Sequence, residues 1–196
     1  MTANVQPYEI LTGVGTLYKA PVGTAFPALT ANPVAQWINL GATDGGVKVT
    51  PEQTTKVIRD DQHTGPRKAV RSEESLMVET NLRNSTLENM AILMGNSVTD
   101  TAAAAGTIGT REVALHRGAT VTEYALLFRG AYQSAYGDFP AQYELPRGFF
   151  DGPMGHEWKK DDAVLLPVKF TALEDEDAAA EANRFGRLIM QDAAAL

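Results

Sequence analysis

The stretch from residue 45 to residue 95 constrains this chain more than any other. It reads as strand, long polar arm, strand and helix in immediate succession. The second of those strands, over residues 69–82, alternates cleanly at its far end. Leu76, Val78, Thr80 and Leu82 fall on one face, and Ser75, Met77, Glu79 and Asn81 on the other. A period of two with one apolar face specifies a strand that covers a core on one side only. The near end of the same strand, residues 67–74, is too polar to sit inside a monomer. The helix follows at once, over about 85–95. Ser85 and Glu88 have the spacing of a capping box, and Gly95 and Asn96 supply the stop. Leu87, Met90, Ala91 and Met94 fall at helical spacing and form its expected packing face.

The first strand of the stretch runs from Gly46 through Val49 and, after Pro51, on towards Lys56, Val57 and Ile58. Asp44, Gly45 and Gly46 read as the turn that leads into it. Between the strands lies an arm, about residues 50–70. It contains Lys56, Ile58, Arg59, Asp60, Asp61, His63, Arg67, Lys68 and Arg71. Its basic residues are interleaved with Glu52, Asp60, Asp61, Glu73 and Glu74. That near balance lacks the cationic surplus needed to hold nucleic acid. It suits another protein surface of mixed charge. Long connections without a core of their own are uncommon in small domains and are usually functional.

The rest of the chain is punctuated β. Residues 13–21 and 37–40 read as short strands, with a Pro- and Gly-rich loop between them. Residues 97–110, with four consecutive alanines from Ala102 to Ala105, read as a mobile loop. Residues 111–117 and 120–131 read as strands. The second is apolar on both faces and therefore central. Residues 133–154 read as loop with a short strand at Phe149 and Phe150. Residues 162–173 read as a strand in which Pro167 demands an edge or a bulge, and 187–190 as the last strand. The fold class expected is mainly β: a β-sandwich or partly closed barrel of antiparallel strands, one flanking α-helix and a protruding hairpin arm. All 196 residues make one expected domain.

Charge and composition narrow the function. The formal net charge is -7, a poor basis for gripping phosphates. No cysteine is present, which rules out disulfides and thiolate metal sites and suits assembly in a reducing cytoplasm. No apolar run is long enough to cross a membrane as a helix, and residues 1–7 do not read as a secretory signal. No G-x-S-x-G, P-loop or H-E-x-x-H motif occurs. His63 after Asp60 and Asp61 is the one hint of a metal-dependent enzyme, set against a plain solvated turn at Gly65 and Pro66. His116 reads as a surface residue, and His156 lacks a second ligand. Adjacent carboxylates such as Glu73 and Glu74 point to opposite faces of a strand and make no acid–base pair. No catalytic residue, cofactor or metal is expected.

The run Thr64, Gly65, Pro66, Arg67, Lys68, Ala69, Val70, Arg71, Ser72, Glu73, Glu74, Ser75, Leu76, Met77, Val78, then Asn81 and Leu82, then residues 85–91, resembles the major tail tube proteins of long-tailed bacteriophages. The opening residues 15–24 and the strand around Trp37 are similar to the same family. The resemblance covers about the first hundred residues, and its motifs are structural rather than catalytic. It implies a β-sandwich with a flanking helix, six copies to a ring, and rings stacked into a hollow tube through which DNA passes without specific binding. It implies that sheets of neighbours join edge to edge around the lumen and that the arm reaches another copy. Ser75, Met77, Glu79 and Asn81 become the expected lumen face. Partners implied are the chain itself, a tape measure protein, a terminator and the baseplate or tip. The implied location is a virion tail assembled in the host cytoplasm. A tail terminator or connector, or the tube of a gene-transfer or secretion device, shares the same expected fold.

Overall fold

The computed structural model describes residues 13–34, 36–158 and 160–194. The reading of residues 1–7 as lacking a signal lies outside the described residues. The described residues are mainly β with one α-helix, α1 (Leu87–Met94). In chain order the strands are β1 (Gly15–Pro21), β2 (Ile38–Asn39), β3 (Thr43–Ile58), β4 (Lys68–Leu82), β5 (Val98–Thr101), β6 (Thr110–Val113), β7 (Glu123–Gly130), β8 (Ala141–Phe150), β9 (Leu166–Ala172) and β10 (Arg187–Met190). The main sheet has the order β2-β1-β7-β8-β9-β4-β3, with β10 also on β8. All its pairs are antiparallel. It does not close into a barrel, because β2 and β3 remain as its two ends.

The sheet divides at β8. One side of β8 pairs with β7. The other side is shared: Ala141 to Glu144 pair with β10, and Gly148 to Phe150 pair with β9. The core fills the angle between the two branches. Leu17, Leu126, Phe128 and Leu145 come from one branch, Val78, Leu82, Val168 and Phe170 from the other, and Leu93 comes from the helix. A second, smaller cluster covers the opposite face of β1 and β7, where Ala20, Ala125 and Leu127 lie under Trp37 and Phe26. That second cluster explains why β7 is apolar on both faces. Its central position between β1 and β8 agrees with the sequence reading.

Three segments differ from the sequence reading. Residues 133–154 hold a ten-residue strand, β8, rather than only a short one at Phe149 and Phe150. Gln142 and Glu144 are polar yet buried, and Pro146 and Gly148 read as breakers. Pro146 and Arg147 together oppose Ala125 in a bulge, where a missing N–H is tolerated. Residues 97–110 are not all loop. β5 and β6 form a separate two-stranded hairpin with tip 102–109, and β6 ends at Val113 rather than Arg117. Gly45 and Gly46 make a bulge inside β3, between the Asp44–Asn81 and Val47–Thr80 pairs, rather than a turn before it. Both have positive φ (75° and 83°), and Thr80 Oγ1 donates to the Gly46 carbonyl at 2.7 Å. Pro167 agrees with the reading: it pairs with β4 where β8 no longer runs alongside, so it has the free edge its ring requires.

The helix start also differs. The N-cap is Thr86, whose hydroxyl accepts from the Asn89 amide at 3.2 Å. Ser85 Oγ instead donates to the Val164 carbonyl at 2.7 Å, 79 residues away. A long-range bond therefore took the hydroxyl that the capping box assigned to the helix. Gly95 closes the helix in the left-handed region at φ 71°.

Candidate functional site

The arm is the distal half of the β3–β4 hairpin. Every residue of β3 from Pro51 to Ile58, and of β4 from Lys68 to Glu74, is exposed. Among the described residues these parts of the two strands pair only with each other. Lys56 pairs with Val70, Val57 with Ala69, and Ile58 with Lys68. Thr55 pairs with Arg71 while Thr54 pairs with Glu73, which leaves Ser72 as a bulged residue. Its hydroxyl donates to the Thr54 carbonyl at 3.2 Å. Arg71 Nε donates to Gln53 Oε1 at 2.7 Å and its guanidinium also meets Glu74.

The tip, residues 59–67, is held by its own polar groups. The Arg67 amide donates to the Ile58 carbonyl at 2.9 Å, which closes the hairpin. Asp60 collects two partners, His63 Nδ1 at 2.7 Å and Arg67 Nε at 3.2 Å. Arg59 donates to the Thr64 carbonyl at 3.2 Å. Asp61 is exposed. Among the described residues no group of three His, Cys, Asp or Glu side chains is gathered as a metal would require. The contacts of Asp60 with His63 and Arg67 brace the tip turn.

The expected lumen residues sit nearer the body. Ser75, Met77, Glu79 and Asn81 share one face of β4 and are half-buried. They lie opposite Glu52, Thr50, Lys48 and Asp44 of β3. On the β9 side Met77, Glu79 and Asn81 meet Thr171, Lys169 and Pro167. Across this face the charges alternate strand by strand. Lys48 Nζ lies 3.6 Å from Glu79, Glu79 is in register with Lys169, and Lys169 Nζ lies 3.5 Å from Asp151. The opposite face of β4 carries Val78, Thr80 and Leu82, all buried.

On the helix, Ala91 and Met94 are buried, and Leu87 and Met90 are half-buried. The buried set also holds Leu93 and Asn89, which the spacing argument left out. Asn89 Nδ2 donates to the carbonyls of Leu40 (2.9 Å) and Asn84 (2.8 Å), tying the helix to the strand that follows Trp37. Arg111 fastens the β5–β6 hairpin to the helix, because its guanidinium meets both Glu88 and Asp100. The Glu88 carboxyl is held below its ordinary range by a hydrogen bond with its own amide and by Arg111.

Sequence reasoning missed a polar network on β7, β8 and β10. Arg129 donates to Gln142 and to the carbonyls of Pro27, Ala28 and Ala31, and so pins the loop that covers the second cluster. Gln142 reaches Glu144, and Arg187 Nε lies 2.7 Å from Glu144 Oε2. The signal that could have found them is their pairing: two buried polar residues two apart on one strand need partners. A cavity of about 410 Å³ opens between Gly15, Val47, Phe128, Tyr143 and Leu188. Among the described residues no carboxylate, imidazole or basic group lines it. Among the described residues no helix is long and apolar enough to cross a membrane.

The arrangement is a β body with two sheet ends and one long exposed arm. A family model described as phage tail tube protein matches residues 1–195, and no curated protein matches the chain. The chain thus belongs to the phage tail tube protein family, a family of structural virion tail proteins rather than of enzymes.

Proposed function

We propose that this chain is the repeating subunit of a long-tailed phage's tail tube. In this reading residues 1–196 act as one tube-building domain, with six copies to a ring and rings stacked into a hollow conduit for DNA. The observation that carries it is the arm. A hairpin exposed over its whole distal half, in a chain of the tail tube family, gains a buried surface only by docking on another copy. The two sheet ends at β2 and β3 support the same reading, since joining edges around a ring removes unpaired backbone. The net charge of -7 suits a conduit, because like charge keeps a polyanion from adhering. The polar face of β4, with Ser75, Met77, Glu79 and Asn81, lines the lumen in this reading. DNA passes it without specific binding. Tape measure, terminator and baseplate or tip proteins meet the ends of the tube, and assembly takes place in the host cytoplasm.

Negative-stain electron microscopy of the purified protein at rising concentration tests this. Six-fold rings in end view, lengthening into tubes, are the expected result. Single rings that never lengthen would reassign the chain to a terminator or connector. Monomers at every concentration, even after addition of a tail-tip initiator complex, would overturn the reading.

A further inference from the structure

The arm's charges are interleaved in sequence, but folding separates them. The hairpin register brings Glu52 opposite Ser75 and Thr54 opposite Glu73, so one face carries a layer with two carboxylates. Beyond the Ser72 bulge the same face carries Lys56 opposite Val70 and Ile58 opposite Lys68, a layer of two ammonium groups and two aliphatic side chains. Ile58 and Val70 are 46% and 41% exposed, far more than a packed aliphatic residue. The remaining arm charges are largely used within the chain, Arg71 by Glu74 and Arg67 by Asp60. Glu52, Glu73, Lys56 and Lys68 make no ion pair among the described residues. The acidic layer is also concave. Glu52, Gln53, Thr54, Glu73, Glu74 and Ser75 surround a hollow of about 530 Å³.

We propose that the basic, aliphatic layer of one copy's arm (Lys56, Ile58, Lys68, Val70) docks on the acidic hollow at the root of the next copy's arm (Glu52, Glu73). The argument is charge complementarity between two surfaces of one chain, reinforced by two aliphatic side chains that water would otherwise keep. In a tube the contact is head-to-tail, since a reciprocal pairing of the two layers between two copies would close a dimer. Each docked copy still presents its own acidic hollow to a further copy, and the contact propagates instead of closing as a pair. The inference rests on the tube reading above and adds to it which residues receive the arm.

The test uses the full-length chain and charge reversal in pairs. E52K/E73K makes both layers basic, and K56E/K68E makes both acidic. Each variant alone is expected to pellet as tubes about tenfold less than wild type, since every contact now sets like charge on like. An equimolar mixture of the two is expected to assemble again, because each alternating contact pairs opposite charges. The fourfold exchange in one chain is expected to assemble as well. Thermal melts followed by circular dichroism are expected to match wild type, as the four residues lie outside the core. Double variants that form tubes like wild type, or a mixture that stays soluble, would overturn the docking assignment while leaving the tube reading intact. A wild-type protein that never assembles would overturn the tube reading itself.

Discussion

A Cβ built on Gly148 would lie 2.5 Å from the ring of Phe170 and 2.5 Å from the Thr171 carbonyl oxygen. Neither neighbour is free to move, since Phe170 is fully buried and Thr171 belongs to a paired strand. Gly148→Ala is therefore expected to cost about 1–3 kcal/mol, read as a lower urea midpoint at unchanged slope. Gly65→Ala, at the arm tip with open space around it, is the matched control and should leave the midpoint in place. Charge at single residues gives a second expectation. Arg147 holds Glu123 through two hydrogen bonds (2.7 and 3.1 Å) and keeps its carboxyl below the usual range. A depressed folded-state pKa stabilises above the unfolded value and loses that contribution as pH falls through the folded one. Wild type should thus exceed Glu123→Gln in unfolding free energy from urea melts at neutral pH, by at most about 1 kcal/mol for a pair one-third exposed. The gap should close in acid, below the usual carboxylate range; a gap that persists there would remove the ion pair as its cause. Little of this was legible in the sequence. Nothing local marks Gly148 as packed under Phe170, or Arg129 as the anchor of a loop about a hundred residues earlier.

At the scale of elements the α-helix shows how far local signals reach. Its position followed from apolar spacing and a Gly stop, because both are local. Its cap did not, because Ser85 bonds Val164 and leaves Thr86 to the helix. Thr86→Ala should consequently destabilise the protein by about 1 kcal/mol through loss of the cap. The loss should appear as faster amide exchange confined to α1 and the β5–β6 hairpin that Arg111 ties to it. In Ser85→Ala the exchange should instead rise around Val164. Equal behaviour of the two variants would contradict this division of roles. Strand β8 shows the converse. Its polar residues and its Pro and Gly argued for a loop, and burial between β7 and β9 with a bulge at Pro146 made it central. Alternation in β4, by contrast, was readable because one face meets the core directly.

For the whole molecule, the arm and the body separate energetically. Every residue from 52 to 58 and from 67 to 74 is exposed, and the core draws on none of them. Replacing residues 55–72 by Asn-Gly, a two-residue turn between the paired Thr54 and Glu73, should shift the melting temperature by no more than a few degrees. The same change should abolish tubes, as seen by pelleting and microscopy. Tubes that survive it would show that the arm is dispensable. The sequence by itself determined the class of fold, the α-helix, the alternating face of β4 and the existence of an arm. Each of these is written in residues close together along the chain, where a period, a cap or a breaker acts directly on backbone geometry. Only the tertiary structure decided that β8 is central, that β10 and β9 share it, that Arg129 pins a distant loop, and that the arm's charges form two layers. Those depend on which residues far apart in sequence are set side by side. Strand register and burial fix that, and both arise from packing on the two faces of the sheet.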